Sequence, residues 1–163
     1  MQTNTIIFAI YPNTRGFGYA YMDGPRKLLD CGMATVKPAD NRKNMKRIKK
    51  HLDYFKPTLL IVQDGNCKYT RTGRRIKRLL KSITTHAKKT GLPIKQYGRE
   101  QIREVFAQFG AKTKYDISQL IVKEFTELEP KSPKKRKLWM AEDYHMAAFD
   151  AISLGLTYWY LEE

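Results

Sequence analysis

Short apolar runs at the start of the chain have the spacing of β-strands. The run Thr5–Tyr11 is mostly apolar and is followed by Pro12, which predicts a strand that is buried on both faces and ends at the proline. Small and aromatic residues alternate from Gly16 to Asp23, and a second extended stretch runs from Lys27 to Val36. An Asp-Gly-Pro turn separates these two stretches, so the N-terminal part of the chain predicts a meander of three strands.

Apolar residues at helical spacing dominate the rest of the chain. Two short runs interrupt them, at Leu59–Val62 and Ile94–Tyr97, and the first is branched and apolar throughout, as in a buried parallel strand. A strand that follows a crossover helix is expected to lie parallel to the first strand. Helices are predicted from Asp40 to about Phe55, from Thr72 to Thr90, from Gly98 to Gly110, from Tyr115 to about Phe125 and from near Ala141 to Tyr160.

This order of elements predicts an α/β fold in a single domain that spans residues 1–163. The sheet is expected to be mixed and five-stranded, with a three-strand antiparallel meander, two parallel strands and helices on its faces. The segment Pro130–Lys137 contains two prolines and five lysines or arginines, which predicts a solvated loop. Nothing in the sequence suggests an internal repeat.

Composition adds one strong constraint, the net charge. The 31 lysines and arginines outnumber the 16 aspartates and glutamates and give a formal charge of +15. Nucleic acid is the first partner that such a charge predicts, an anionic membrane surface is the second, and a basic protein with no polyanionic partner remains the third. The apolar run Ile6–Ile10 is too short for a signal peptide or a membrane span, and Cys31 and Cys67 lack the spacing of a disulfide framework or zinc site. We therefore expect a cytoplasmic protein, and of the possible partners we choose nucleic acid and not a membrane.

The positive charge is concentrated between Gly65 and Arg99, where eleven lysines or arginines occur without any acidic residue. Cations repeated along a loop and a helix can follow a phosphate backbone without reading bases, which favours recognition of nucleic-acid shape. Tyr69 either stacks on an unpaired base or packs on the domain, and the segment 130–137 is either a second phosphate-contacting arm or only a solvated loop. The candidate nucleic-acid contacts are Lys68, Tyr69, Arg71, Arg74, Arg75, Lys77, Arg78, Lys81, Lys112, Lys114, Lys134, Lys135 and Arg136.

Three segments resemble the RuvC-type Holliday junction resolvases of the ribonuclease H-like superfamily, and the resemblance covers nearly the whole chain. Ala9–Tyr19 is similar to the first-strand motif that leads into a second strand containing Gly-Tyr. Gln96–Val122 resembles the family's strand, helix, Gly-Ala-Lys turn and helix, and Ala147–Ile152 is similar to its Asp-Ala-Ala-Asp-Ala-Leu run. The resemblance implies a ribonuclease H-like fold, a four-way DNA junction as partner, cleavage by acidic residues with Mg²⁺ or Mn²⁺, and action as a symmetric pair.

Most of the catalytic acids that the resemblance implies are replaced in this chain. Tyr11 stands at the position of the first aspartate, Gln63 at that of the glutamate ending the fourth strand, and Ala147 at that of one helix acid. Asp150 matches the remaining acid and is the leading candidate for a catalytic or metal-binding residue. Asp64 is either a second such residue or a turn residue, because a shift of one position along a strand reverses the direction of the side chain.

Two residues shortly before Asp150 are additional candidates for the same site. Asp143 lies seven residues earlier, on nearly the same face of the predicted helix and about 10 Å along its axis. His145 is rotated well away from Asp150 on such a helix and is more typical of a surface residue. Cleavage with two metal ions requires several converging carboxylates, so Asp150 and Asp64 alone would hold two ions poorly. The alternative is that Asp64, Asp143, Asp150 and His145 together hold one or two Mg²⁺ or Mn²⁺ ions.

The sequence therefore predicts a nucleic-acid-binding protein that binds branched or duplex DNA and has weak or lost nuclease activity. An active, divergent endonuclease that uses Mg²⁺ or Mn²⁺ is the first alternative. An interaction module that kept the fold and lost nucleic-acid binding is the second, although the charge of +15 argues against it. A homodimer is compatible with the two-fold symmetry of a four-way junction.

Overall fold

The strands and helices are seen in a computed structural model that describes residues 5–38, 40–66, 72–137 and 139–162. In chain order the elements are β1 (Ile7–Asn13), β2 (Gly16–Met22), β3 (Leu28–Thr35), α1 (Asn41–Phe55), β4 (Leu59–Gln63), α2 (Arg74–Thr90), β5 (Ile94–Tyr97), α3 (Arg99–Ala107), α4 (Lys114–Glu124), a 3₁₀ helix (Thr126–Lys131) and α5 (Met146–Glu162). The predicted order of strands and α-helices is confirmed, and the 3₁₀ helix is an addition to it.

The five strands form one sheet in the order β3-β2-β1-β4-β5. The pairs β1/β2 and β2/β3 are antiparallel, whereas β1/β4 and β4/β5 are parallel. The predicted mixed sheet, with an antiparallel meander joined to two parallel strands, is therefore confirmed. β1 is the central strand, which explains why its sequence is apolar on both faces.

Side chains of β1 and β4 alternate between two apolar layers on opposite faces of the sheet. Ala9 and Tyr11 of β1 belong to the layer formed with α3, α4 and α5, whereas Phe8 and Ile10 belong to the layer formed with α1 and α2. The alternation continues in β4, where Leu59 and Ile61 face the first layer and Leu60 and Val62 face the second. Tyr11, at the carboxyl end of β1, is thereby directed toward α5.

The helix α5 lies directly on the central strands. An added Cβ at Gly18 of β2 would lie only 2.0 Å from the carbonyl oxygen of Ala147, so this close approach requires glycine. Most of α5 is buried, including Phe149, Ile152 and Leu154. The first turn of α5 is consequently fixed against the sheet, and Asp150 is held one turn further on.

Two predicted boundaries are wrong for reasons that can be seen in the pairing. β1 does not end at Pro12, because the strand pairs with β4 only as far as Ile10 and has a free edge beyond that point, where proline is tolerated. The helix α5 begins at Met146 and not near residue 141. The Asp143 carboxylate accepts a hydrogen bond of 2.9 Å from the backbone N–H of His145, and this local turn precedes the helix.

The segment Pro130–Lys137 differs in part from the predicted solvated loop. Pro130 and Lys131 belong to the 3₁₀ helix and Pro133 is buried, whereas residues 134–137 are exposed. Smaller shifts occur at α2 and α3, which begin later or end earlier than the apolar spacing predicts. None of the helices in the described ranges has both the length and the apolar character needed to cross a membrane.

Candidate functional site

A cleft of about 510 Å³ opens at the carboxyl ends of β1 and β4. Tyr11 and Gln63, which end the apolar parts of these parallel strands, line its floor because parallel neighbours finish at the same edge of the sheet. Lys114, at the start of α4, and Asp150 of α5 complete the inner wall. This is the place where the sequence analysis expects the acid site, and the structure brings Tyr11, Gln63 and Asp150 together there.

The Asp150 carboxylate is buried, with only 4% of the residue exposed. Its Oδ2 accepts a hydrogen bond of 3.2 Å from Lys114 Nζ. Its Oδ1 lies 3.6 Å from Arg99 Nη1, at ion-pair distance but beyond hydrogen-bond range. Because Arg99 and Lys114 are the first residues of α3 and α4, the two helix starts converge on one carboxylate.

The Lys114 ammonium is the central group of the cleft. Besides Asp150, its Nζ contacts Oε2 of Glu142 at 3.5 Å, and it lies 5.5 Å from the centroid of the Tyr11 ring. Glu142 comes from the segment that leads into α5. One lysine therefore connects α4, the end of β1 and both acidic residues.

The local charges change the protonation of these groups in consistent directions. Burial raises the pKa of the Asp150 carboxyl, and the positive charges of Lys114 and Arg99 oppose that rise. Burial alone would lower the pKa of Lys114, but the charge of Asp150, with smaller contributions from Tyr11 and Glu142, raises it above its ordinary value. Burial and then the charge of Asp150 raise the pKa of Tyr11. The centre thus holds a protonated lysine beside a neutral phenol.

Arg99 is a neighbour of Asp150 that the sequence analysis missed. It was counted there only as one of many surface cations, yet it is 6% exposed, and its Nε and Nη1 have no hydrogen-bond partner within the described part of the chain. Its spacing was informative, because Arg99 precedes Ile102 and Phe106 by three and seven residues and so lies on the buried stripe of α3. Glu142 was also missed, because it is distinguished only by its contact with Lys114 in the folded structure, 28 residues away in sequence.

Asp64 does not share the cleft with Asp150. Its backbone N–H donates to the carbonyl of Tyr97, and its Oδ1 accepts from the N–H of Asn66 at 3.0 Å, which is the turn arrangement that the sequence left open. Asp64 lines a separate groove on the α2 side of the sheet, together with Lys77 and Lys81. Strand alternation explains this, because Gln63 faces α5 and the following residue faces the other way.

The side chains of Asp143 and His145 line different pockets. Asp143 lines the cleft, but it lies in the segment before α5, where its Oδ2 accepts from the backbone N–H of Lys134 at 3.4 Å. The prediction that Asp143 and Asp150 share a helical face is therefore wrong. His145 lies in another pocket, beside Tyr19 and Cys31.

The donor set does not fit the divalent metal ions that this class of acid site implies. Within residues 5–38, 40–66, 72–137 and 139–162, no group of three or more His, Cys, Asp or Glu side chains could hold a metal ion. Both oxygens of Asp150 already face cationic nitrogens, and the ends of β1 and β4 supply a phenol and an amide. No catalytic step through a metal ion follows from these residues.

The basic residues predicted to contact nucleic acid fall into several groups. Lys112 and residues 134–136 are exposed, whereas Lys114 is engaged in the ion pairs of the cleft. Arg75 donates from Nη2 to the carbonyl of Asn13 and from Nη1 to Oδ1 of Asn41, which ties α2 to β1 and α1. Lys68, Tyr69 and Arg71, together with Cys67, lie outside the described residues.

The exposed lysines and arginines of α1 and α2 form what we call the basic surface. Within the described ranges, none of them forms an ion pair with a carboxylate, and Asp53 is the single acidic residue in the two helices. A groove of about 570 Å³ between these helices is lined by basic side chains and no carboxylate. The surface comprises Arg42, Lys43, Lys46, Arg47, Lys49, Lys50, Arg74, Lys77, Arg78, Lys81, Lys88 and Lys89.

The order of strands, the helices on both faces and the position of Asp150 define a protein with a ribonuclease H-like fold. Among solved structures, RuvC of Thermus thermophilus matches with a TM-score of 0.66 and 17% identity over 94% of this chain and 93% of RuvC. The same protein in complex with a Holliday junction substrate matches with a TM-score of 0.66 and 19% identity, over 94% of this chain and 92% of the other. The fold is therefore that of the RuvC-like resolvases, as the sequence resemblance implies.

A more distant match has the same fold. The yeast mitochondrial Holliday junction resolvase Ydc2 aligns with a TM-score of 0.63 and 10% identity, over 98% of this chain and 80% of Ydc2. No protein-family profile matches the chain, and no curated protein is significantly similar to it in sequence. At these identities the likeness defines the fold alone.

Proposed function

We propose that this protein binds branched DNA, with a four-way junction as its preferred substrate, and that it has lost most or all nuclease activity. The observation that carries the proposal is the Lys114 ammonium, which lies 3.2 Å from the Asp150 carboxylate in the cleft. Cleavage of a phosphodiester with two metal ions needs several free carboxylates at that place. Binding of DNA needs only the exposed cations that lie outside the cleft.

The basic surface supports the binding part of the proposal. Its side chains are exposed and free of carboxylate partners within the described ranges, so their charges can neutralise phosphates and release counterions. The arrangement offers cations along two helices and a groove rather than a single reading helix, which favours recognition of DNA shape. The solved complex of RuvC with a Holliday junction substrate gives the junction as the structure to test first. A symmetric dimer belongs to the same proposal, because a four-way junction has two-fold symmetry.

The test compares binding and cutting of a synthetic four-way junction with those of a linear duplex of equal length, in the presence of Mn²⁺ and in its absence. We expect tighter binding to the junction and no nicking of either DNA. Equal affinity for the two DNAs would remove the junction from the proposal. Metal-dependent nicking that disappears in Asp150→Asn would show that the protein is an endonuclease.

Charge reversal identifies the surface that binds. The double variant Arg78→Glu/Lys81→Glu should weaken junction binding by about tenfold or more, because lost phosphate contacts also lose their counterion release. The matched control is Lys123→Glu/Lys131→Glu, which changes the net charge equally on the layer of helices across the sheet. An equal loss of affinity in the two variants would mean that net charge, and not the basic surface, determines binding.

A further inference from the structure

The Lys114 ammonium contacts carboxylates from two different segments. Its distances to Asp150 Oδ2 and Glu142 Oε2 are 3.2 and 3.5 Å, and the two carboxylates come from α5 and from the segment that precedes it. Mg²⁺ is commonly held in proteins by one or two carboxylates and several waters. One lysine thus bridges two acidic groups of the chemical type that holds a small divalent cation.

The rest of the centre is arranged around the Lys114 ammonium. Arg99 gives the other Asp150 oxygen a second cationic neighbour at 3.6 Å, and it is buried in the protein interior. Tyr11 and Gln63 place uncharged groups at the ends of the two central strands. A buried carboxylate without a counter-charge is strongly unfavourable, and here protein side chains supply that charge.

We infer that Lys114 is a covalently attached counter-ion that replaces divalent metal in this centre, and that it masks a weak cation site formed by Asp150 and Glu142. The protein therefore reaches its native structure without Mg²⁺ or Mn²⁺. Removal of the ammonium makes the same centre responsive to these ions. The inference goes beyond DNA binding and is tested without DNA, so its failure and the failure of the proposed function are distinguishable.

The main experiment measures the Tm of the full chain during titration with Mn²⁺. The wild-type Tm should stay constant. Lys114→Gln should lower the Tm by about 6 °C in the absence of metal, because the buried Asp150 carboxylate loses its hydrogen-bonded cation and keeps only Arg99. Mn²⁺ at about ten times its Kd should restore about 4 °C. Lys112→Gln, an exposed lysine two positions earlier, should change neither the Tm nor its response to Mn²⁺.

A second variant separates the role of counter-ion from ordinary packing. In Lys114→Gln/Asp150→Asn both charges are removed, so we expect a higher Tm than in Lys114→Gln and no response to Mn²⁺. A response of the wild type, an unresponsive Lys114→Gln, or a response that survives in the double variant would each overturn the inference.

The design also covers the case in which Lys114→Gln does not fold. Electron paramagnetic resonance of free Mn²⁺ should then show no loss of signal on addition of the wild-type protein, and the double variant should fold. Binding of Mn²⁺ by the wild type, or a double variant that also fails to fold, would contradict the inference.

Discussion

The cations of the cleft and those of the basic surface differ in their partners. Arg99 is buried and Lys114 is half-buried, and both lie beside the Asp150 carboxylate, while Lys114 also contacts Glu142. The lysines and arginines of α1 and α2 are exposed and have no such partner within the described ranges. The cations of the cleft are neutralised by carboxylates of the same chain, whereas those of the basic surface remain free to attract a polyanion.

This difference shows that a formal charge of +15 is not a measure of the charge that is available to a polyanion. Lys114 resembles any other residue of a basic protein until its neighbours are known. Burial makes its ion pair with Asp150 costly to break, because one partner would be left charged and desolvated. Exposed cations such as Arg78 contribute little to stability and can be changed to examine binding alone.

The largest effect on stability should come from replacing the buried Arg99 and not from replacing an arginine of the basic surface. Arg99→Met removes one of the two cations beside Asp150 and should lower the free energy of unfolding by about 3 kcal/mol. Arg78→Met, the same change on the basic surface, should alter it by less than about 0.5 kcal/mol. Urea unfolding of both variants measures this contrast, and similar losses would show that burial does not distinguish the two groups.

An intermediate effect is expected where α5 is fixed against the sheet. Gly18→Ala would place a Cβ about 2.0 Å from the carbonyl oxygen of Ala147, so α5 must shift or the strand must bend. We expect a loss of about 2 kcal/mol in the free energy of unfolding. The matched change Gly73→Ala adds a methyl group where no neighbouring atom lies within 4 Å, before the basic helix α2. A smaller loss at position 18 than at position 73 would contradict the close packing described for α5.

The smallest effect concerns the helix that carries Lys114. Backbone N–H groups of Lys112 and Thr113 donate to the Asp116 carboxylate and hold the pKa of Asp116 below its usual value of 3.8. The folded-state pKa is lowered, so the contribution to stability is complete above the usual value and is lost as the pH falls through the lowered one. Asp116→Asn should therefore be less stable than the wild type at neutral pH and approach it in acid, as followed by urea unfolding at several pH values. A difference that stays constant with pH would exclude this cause.

The fold could be predicted because its signals are local. The alternation within β1, the branched apolar residues of β4 and the apolar stripe of α2 each follow from residues close in sequence. The position of Asp150 required more, namely the resemblance of the run from Ala147 to a helix motif. That resemblance also indicated the places of Tyr11 and Gln63 at the strand ends.

The ion pairs could not be predicted in the same way. Asp150 meets Lys114 and Arg99 only when the starts of α3 and α4 are packed beside α5, and no spacing in the sequence encodes that meeting. The side of the sheet that Asp64 faces was open for a related reason, because it depends on whether the strand alternation continues past Gln63. Local patterns give the direction of a side chain within an element, whereas charge partners depend on how the elements pack.

The central lysine also limits what a single added carboxylate could do at this edge of the sheet. A chain that acquired Tyr11→Asp would gain a carboxylate close to an ammonium that is already present, and the two would neutralise each other. A metal-binding centre at this place would require replacement of the lysine as well, and that step alone weakens the native structure. Selection is thus expected to retain the tyrosine and the lysine together.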